Sequence, residues 1–375
     1  METKQTVNST TFTFVKLLGC IIFLNTCSSS SSPTSGNGDN LFGSNIDWLI
    51  NPSEIVDGGP GIDGIPSLEN PRFTIASEVE FLQDGRRVTA IRIDDDIRAY
   101  PHQIMDHHEI VNDSFDDIDV AVTFCPLTGT SIGIERNLGG NSVEYGVSGL
   151  LFRNNLIMYD RFSTSFWSQM QLRSVGGDFG GIDVNVVQVI ETDWATWKQM
   201  YPNSRVLNTN TGSERNYSGF LYGSEYTTND QQIIFPINNN DDRLNRKDRV
   251  HAILPSGANQ NVEVKAYTLK DFSDGTVIVN DSFMGNDYLI IGNLEHDFIN
   301  AFRLSNAFEQ SLEFTALDDP SGNVIMTDQA GNEWDIFGYA VSGPNEGEQL
   351  TPARSYTGYW FALADFFPEI ELYND

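Results

Sequence analysis

Apolar residues along this chain come in short runs with alternating polar positions, and turn residues recur about every eight to twelve positions. That period predicts strands over 88–93, 109–111, 118–124, 143–147 and 156–159. Helical spacing is confined to one turn over 101–105 and a short helix over 193–200, capped by Asp193. The predicted class is β-rich α+β, assembled from mainly antiparallel units.

The pattern then occurs a second time. Ile97-Arg98-Ala99-Tyr100 and Val111-Asn112-Asp113-Ser114-Phe115 return as Val264-Lys265-Ala266-Tyr267 and Val279-Asn280-Asp281-Ser282-Phe283. Met158-Tyr159-Asp160 returns as Met326-Thr327-Asp328, Trp167 as Trp334, and Tyr201-Pro202 as Phe367-Pro368. A repeat of this length predicts a tandem duplication, with copies at 78–207 and 249–375 and a polar linker over 208–248. The copies are expected to pack as a pseudo-two-fold pair within a monomer, with strand pairing across the join as the alternative. Residues 41–77, rich in Gly, Pro and Asp, read as an ordered lead-in. Such a repeat is an internal control. Residues kept in both copies serve the fold, and residues found in one copy are free for chemistry.

The first residues read as an export signal. Lys4 and Lys16 precede the apolar run 17–24, which is too short to span a bilayer and suits a signal-peptide core. A signal over 1–26 would leave Cys27 as a lipidated first residue, followed by a Ser/Gly-rich tether over 27–40. Leu17-Leu18-Gly19-Cys20 is closer to the usual cleavage box, but cleavage there would leave Lys16 inside the short apolar core. An uncleaved membrane anchor is the third arrangement. The expected location is therefore the periplasm or cell surface of a bacterium, with the membrane as a partner through the lipid.

Charge narrows the partners. Twenty-two basic and 52 acidic side chains give a formal charge of -30, which repels a phosphate backbone and sets nucleic acid aside. Of three cysteines, Cys20 and Cys27 fall in the signal region, so Cys125 has no partner for an internal disulfide. An isolated thiol of this kind is either a small buried hydrophobe or a reactive or metal-binding group.

The two copies differ where chemistry is expected. His102, His107, His108 and Cys125 belong to the first copy alone, opposite Leu269, the 273–274 and 275–276 pairs, and Gly292. Arg153 and Arg161, opposite Ser321 and Gln329, are cations of the first copy that can position an anion or lie as solvated surface charges. Asn112-Asp113, Asp160 and Trp167 persist in the second copy and read as structural.

Tyr100-Pro101, His108-Glu109-Ile110-Val111-Asn112-Asp113, 120–127 with Cys125-Pro126-Leu127, Ser148-Gly149-Leu150-Leu151, Met158-Tyr159-Asp160-Arg161 and Trp167-Ser168-Gln169 together resemble the bacterial family catalogued as domain of unknown function 3179. The resemblance runs from about Asp57 to Tyr373. Many members resemble a Cys-Pro-Leu-Cys pattern, and some are similar selenoproteins, which implies redox chemistry or soft-metal binding. Thr128 stands here in place of the second sulfur, so a two-thiol cycle within the motif is not available.

Three functional expectations follow. Cys125 with His108 and His107, or with His102, would hold copper or zinc as a thiolate and imidazole site. Alternatively His108, oriented by Glu109 or Asp113, would activate Cys125 as a nucleophilic or redox thiolate. The third is a non-catalytic lipid-tethered binding module, with aromatics such as Trp167 lining a pocket for a small molecule or partner that the sequence does not name. Gly146-Val147-Ser148-Gly149-Leu150 lacks the last glycine of a hydrolase elbow, so serine hydrolysis is disfavoured.

Overall fold

Among the described residues the short apolar runs resolve into six larger sheets and a two-stranded hairpin, Asn137–Leu138 with Asn141–Ser142, with about 10% in helices. The structure is a computed structural model and describes residues 46–223, 225–256 and 262–374. Helix α1 is His102–Met105, α2 is Trp194–Met200 and α3 is Trp360–Phe366.

Three five-stranded sheets make up the first half. One has the order Ile190–Asp193, Arg87–Ile93, Asp96–Pro101, Arg205–Leu207, Phe73–Ile75, antiparallel except where Arg205–Leu207 runs parallel to Asp96–Pro101. The next is Val186–Val187, Thr130–Glu135, Asp119–Cys125, Ile110–Ser114, Leu68–Glu69. The third is Ile55–Asp57, Tyr145–Phe152, Asn155–Asp160, Phe166–Ser168, Arg173–Gly176. The described part of the lead-in thus gives one edge strand to each sheet, which explains why its Gly and Pro turns separate three short apolar runs.

The second half has the same strand orders without the lead-in strands and without a counterpart of Val186–Val187. Ser355–Tyr359, Arg249–Ile253, Val264–Thr268 and Ile370–Leu372 form one sheet, again with its last pair parallel. Val277–Phe283, Asn286–Asn293 and Phe298–Arg303 form the next, and Phe314–Ser321, Val324–Asp328, Glu333–Asp335 and Ala340–Ser342 the last. Buried details recur as well. Asp160 accepts the Trp167 indole N–H at 2.9 Å, and Asp328 accepts that of Trp334 at 3.0 Å. Tyr100 donates to Asp113 and Tyr267 to Asp281.

The helices follow from local chemistry. Asp193 accepts the Thr196 N–H at 2.8 Å and so caps α2, as its position in the sequence implied. Helix α3, Trp-Phe-Ala-Leu-Ala-Asp-Phe, is buried on every side, so packing stabilises it more than propensity does. Truncating a fully buried Trp360 to Ala would cost about 3–5 kcal/mol.

Core packing crosses the two halves. One apolar cluster joins Tyr145, Phe152 and Trp167 to Tyr356, Trp360 and Phe366, and another joins Val88, Trp194 and Trp197 to Phe302, Ile325 and Trp334. The strand Thr130–Glu135 packs on Ser355–Tyr359, while Ile190–Asp193 packs on Phe298–Arg303. Each half therefore buries a sheet of the other, and the described residues form one compact unit. The segment 208–248 contains no helix or strand among its described residues and lies against the first half.

Candidate functional site

Cys125 ends the strand Asp119–Cys125 and is 1% exposed. Its Sγ donates to the Asn154 carbonyl at 3.7 Å. Burial, followed by nearby Glu109, pushes the thiol up to about 11, so it is not a thiolate at neutral pH. Glu109 itself is buried in the left-handed turn between α1 and the strand Ile110–Ser114, with φ 59°. Burial and Asp106 push its carboxyl up to about 8.

His108 is fully engaged. Its Nδ1 lies 2.8 Å from the Pro66 carbonyl, which only accepts, so Nδ1 carries the proton. Its Nε2 therefore accepts from the Tyr217 hydroxyl at 2.6 Å, and that hydroxyl in turn accepts from Thr211 at 2.6 Å. Burial holds the ring down to about 4. The His107 ring meets Tyr217 edge-on at 5.3 Å, and its buried Nε2 has no partner.

Among the described residues no group of three or more His, Cys, Asp or Glu is gathered closely enough to hold a metal ion. With both His108 nitrogens bonded and Cys125 buried as a thiol, the expected set of Cys125, His108 and His107 does not fit copper or zinc. The remaining expected residues serve the frame. Arg153 pairs with Glu54 at 2.6 Å and bonds the Asp365 carbonyl of α3. Arg161 pairs with Asp63 at 2.7 Å, and Trp167 is wholly buried. Cys27 lies outside the described residues.

The structure instead gathers polar groups around His102. A cavity of about 220 Å3 opens beside it, lined by His102, Asp106 and Phe124 of the first half, Arg249 and Tyr359 of the second, and Phe220 and Tyr222 of the 208–248 segment. That segment is a strap, tied down by Tyr217 to His108 and by Tyr226 to the Leu127 carbonyl at 2.8 Å. Gly129 lines the cavity with φ 61°, and a Cβ there would meet the Tyr359 ring at 2.7 Å. Only glycine lets the second half approach this closely.

The network behind His102 has one consistent direction. Glu191 is 5% exposed and accepts from Arg249 at 2.8 Å; burial works to raise its pKa, but Arg249 and His102 outweigh it and hold the carboxyl ionised. Ser131 must then donate to Glu191, at 3.0 Å, and Thr89 donates to Ser131 at 2.6 Å. His102 Nε2 lies 2.9 Å from Thr89 Oγ1 and 3.2 Å from the Glu191 carboxylate. Two acceptors at one ring nitrogen require the proton on Nε2. Burial depresses the His102 pKa against the pull of Glu191, so the ring is neutral and Nδ1 keeps its lone pair. No described residue bonds that nitrogen, and the ring forms part of the cavity wall.

At the matching register of the second half the groups are different. Thr89 faces both Tyr100 and Glu191 across its sheet, whereas His251 faces Tyr267 and Thr357. His251 bonds Thr357 at 3.0 Å and its buried Nε2 has no hydrogen-bond partner among the described residues, so Glu191 acts on it only at a distance.

The family model described as "Protein of unknown function (DUF3179)" matches residues 62–370. The chain belongs to that family. The match spans both halves and the strap, so every group of the His102 network lies within the family domain. No curated protein and no solved structure matches the chain.

Within this family domain the sequence pointed to His108, Glu109 and Cys125; Glu109 acts on the Cys125 thiol, while the His108 ring bonds Pro66 and Tyr217 instead. It did not point to Glu191, Arg249, Thr89 or Ser131. These residues sit on four strands far apart in the chain, and no spacing rule links them. The one available signal was His102 standing opposite an apolar Leu269.

Two cations complete the surroundings. Arg86 lines the cavity with its guanidinium 3.6 Å over the Phe220 ring and makes no ion pair with a described residue. Lys247 is caged by Tyr226 at 3.4 Å, Tyr359 at 4.8 Å and Phe361 at 5.0 Å, and burial depresses it to about 7. A larger polar cleft of about 740 Å3 contains Arg98, Arg161 and Arg205, but each is already paired with Asp96 or Asp63.

Proposed function

We propose that this chain binds a small aromatic carboxylate in the cavity beneath the strap, as a binding module tethered to a bacterial membrane. The observation that carries the proposal is Arg86, whose guanidinium lines the cavity and makes no ion pair with a described residue. Arg86 supplies the cation for a carboxylate, and Phe124, Phe220, Tyr222 and Tyr359 supply ring faces. The volume suits such a ligand, since an apolar cavity of roughly 150 Å3 takes benzene. Copper, zinc and thiolate chemistry lack this support, because Cys125 and His108 are spent on buried hydrogen bonds.

Two further parts of the proposal concern the whole chain. The shared strand orders and the recurring aspartate–tryptophan pairs support a tandem duplication, with Thr130–Glu135 on Ser355–Tyr359 answered by Ile190–Asp193 on Phe298–Arg303 as in a pseudo-two-fold pair. The apolar run 17–24 and the tether after Cys27 support export and lipid anchoring, which a lipid-sized mass on the Cys27 peptide would test.

Titration calorimetry with cinnamate tests the binding. One saturable site is expected, weakened at least tenfold by Arg86→Gln, about 1.4 kcal/mol. Binding that is absent, or is unchanged in Arg86→Gln, overturns the proposal.

A further inference from the structure

We propose that the cavity is catalytic, with His102 and Asp106 interconverting the keto and enol forms of a small aromatic 2-oxo acid. The proposal rests on the cavity binding a carboxylate as above, and it adds a reaction to that binding.

Position comes first. The Asp106 N–H closes the α1 turn on the His102 carbonyl at 2.7 Å, so the two residues stand one turn apart on one face, with Cβ atoms about 5–6 Å apart. Both line the cavity. A base and an acid at that separation can reach the carbon and the oxygen of one carbonyl fragment. Arg86 lies beside Asp106 and interacts with its charge, so a carboxylate held by Arg86 would bring the adjoining carbonyl to Asp106. The carbon on the other side of that carbonyl then falls toward His102.

The proton inventory fits the roles. His102 Nδ1 has the lone pair required to remove a C–H proton, because its other nitrogen is protonated and held by Thr89 and Glu191. Glu191 would stabilise the imidazolium that forms, and its pairing with Arg249 keeps the proton on the ring. Asp106 is half-buried, and desolvation pushes its carboxyl up to about 7 against the opposing charge of Arg86. It is therefore in large part a proton donor near neutrality. The Phe124 ring lies 4.1 Å from that of His102, and Phe220 and Tyr222 of the strap line the same cavity, so ring faces surround the reacting carbon while solvent can still exchange the His102 proton.

The step balances without oxidant or cofactor. Nδ1 takes the proton from the carbon next to the carbonyl, and the C–H electron pair becomes the new carbon–carbon double bond. The carbonyl π pair moves to oxygen, which takes the Asp106 proton. This leaves the enol, an imidazolium and a carboxylate. Solvent then accepts the ring proton and returns one to Asp106, and no atom or electron is gained or lost.

The test uses the full chain and phenylpyruvate in deuterated buffer, with deuterium entry at the methylene carbon followed by proton NMR and binding followed separately by calorimetry. Exchange should exceed the buffer rate by about 100-fold or more and fall by a similar factor in His102→Gln and in Asp106→Asn, while each variant still binds the probe. Saturable binding without accelerated exchange overturns the catalytic proposal and leaves the binding site intact. No binding overturns both. Exchange that survives in both variants overturns the assignment to these residues.

Discussion

Arg249 of the second half donates to Glu191 of the first at 2.8 Å, with the two side chains 8% and 5% exposed. The same guanidinium also holds Asp297 at 2.7 Å, and Asp297 is bonded in turn by Arg87. Arg249→Met would strand Glu191 as a buried charge and leave Asp297 half paired. The expected loss is about 3–5 kcal/mol, read from denaturant midpoints at unchanged slope. A loss near zero would show that the network does not hold the halves together.

Glu109 predicts an unusual pH dependence. Its folded pKa of about 8 lies above the ordinary 4.5, so the folded chain binds this proton more readily than the unfolded chain between those values. Stability is therefore lost as pH rises through that window, and the loss is complete above pH 8. Glu109→Gln should match the wild type near pH 4 and exceed it at pH 9 by a few kcal/mol. Thermal melts at the two pH values decide it, and equal differences at both would refute the buried neutral acid.

Cys125 should behave as a core thiol. Alkylation at pH 7, located by peptide mass spectrometry, is expected to leave it unmodified in the native chain and to modify it fully after unfolding. Cys125→Ser should keep the fold and probe binding. Rapid native labelling would restore the reactive-thiol alternative.

Tyr217 fastens the strap through His108 and Thr211. Tyr217→Phe removes both bonds and leaves the buried His108 Nε2 unpaired, at a cost of about 1–3 kcal/mol. The effect should be local, with faster amide exchange over 213–223 and faster ligand release. Unchanged exchange there would mean that the strap is held elsewhere.

Much of the frame was legible in the sequence because short apolar runs bounded by turn residues mark strands, here buried on both faces. The runs at 88–93, 118–124 and 156–159 match Arg87–Ile93, Asp119–Cys125 and Asn155–Asp160 to within a residue at each end. Val143 is the exception in kind, since its strand begins at Tyr145 and continues to Phe152 through a bulge around Gly149. The polarity of the segment 208–248 predicts a linker. Polarity marks the absence of a ladder, but not the surface that Tyr217, Tyr222 and Tyr226 cover. The same gap hid the site. His108 and Cys125 stood out as residues of one copy, yet their hydrogen bonds run to Pro66, Tyr217 and Asn154, partners that no local spacing reveals.

The most direct test is the protonation of the His102 ring, read from its two nitrogen chemical shifts in selectively labelled protein at pH 7. The hydrogen-bond chain through Thr89, Ser131 and Glu191 predicts a neutral ring with the proton on Nε2 and a bare Nδ1 whose shift moves when phenylpyruvate is added. A proton on Nδ1, or an imidazolium in the free protein, would contradict it.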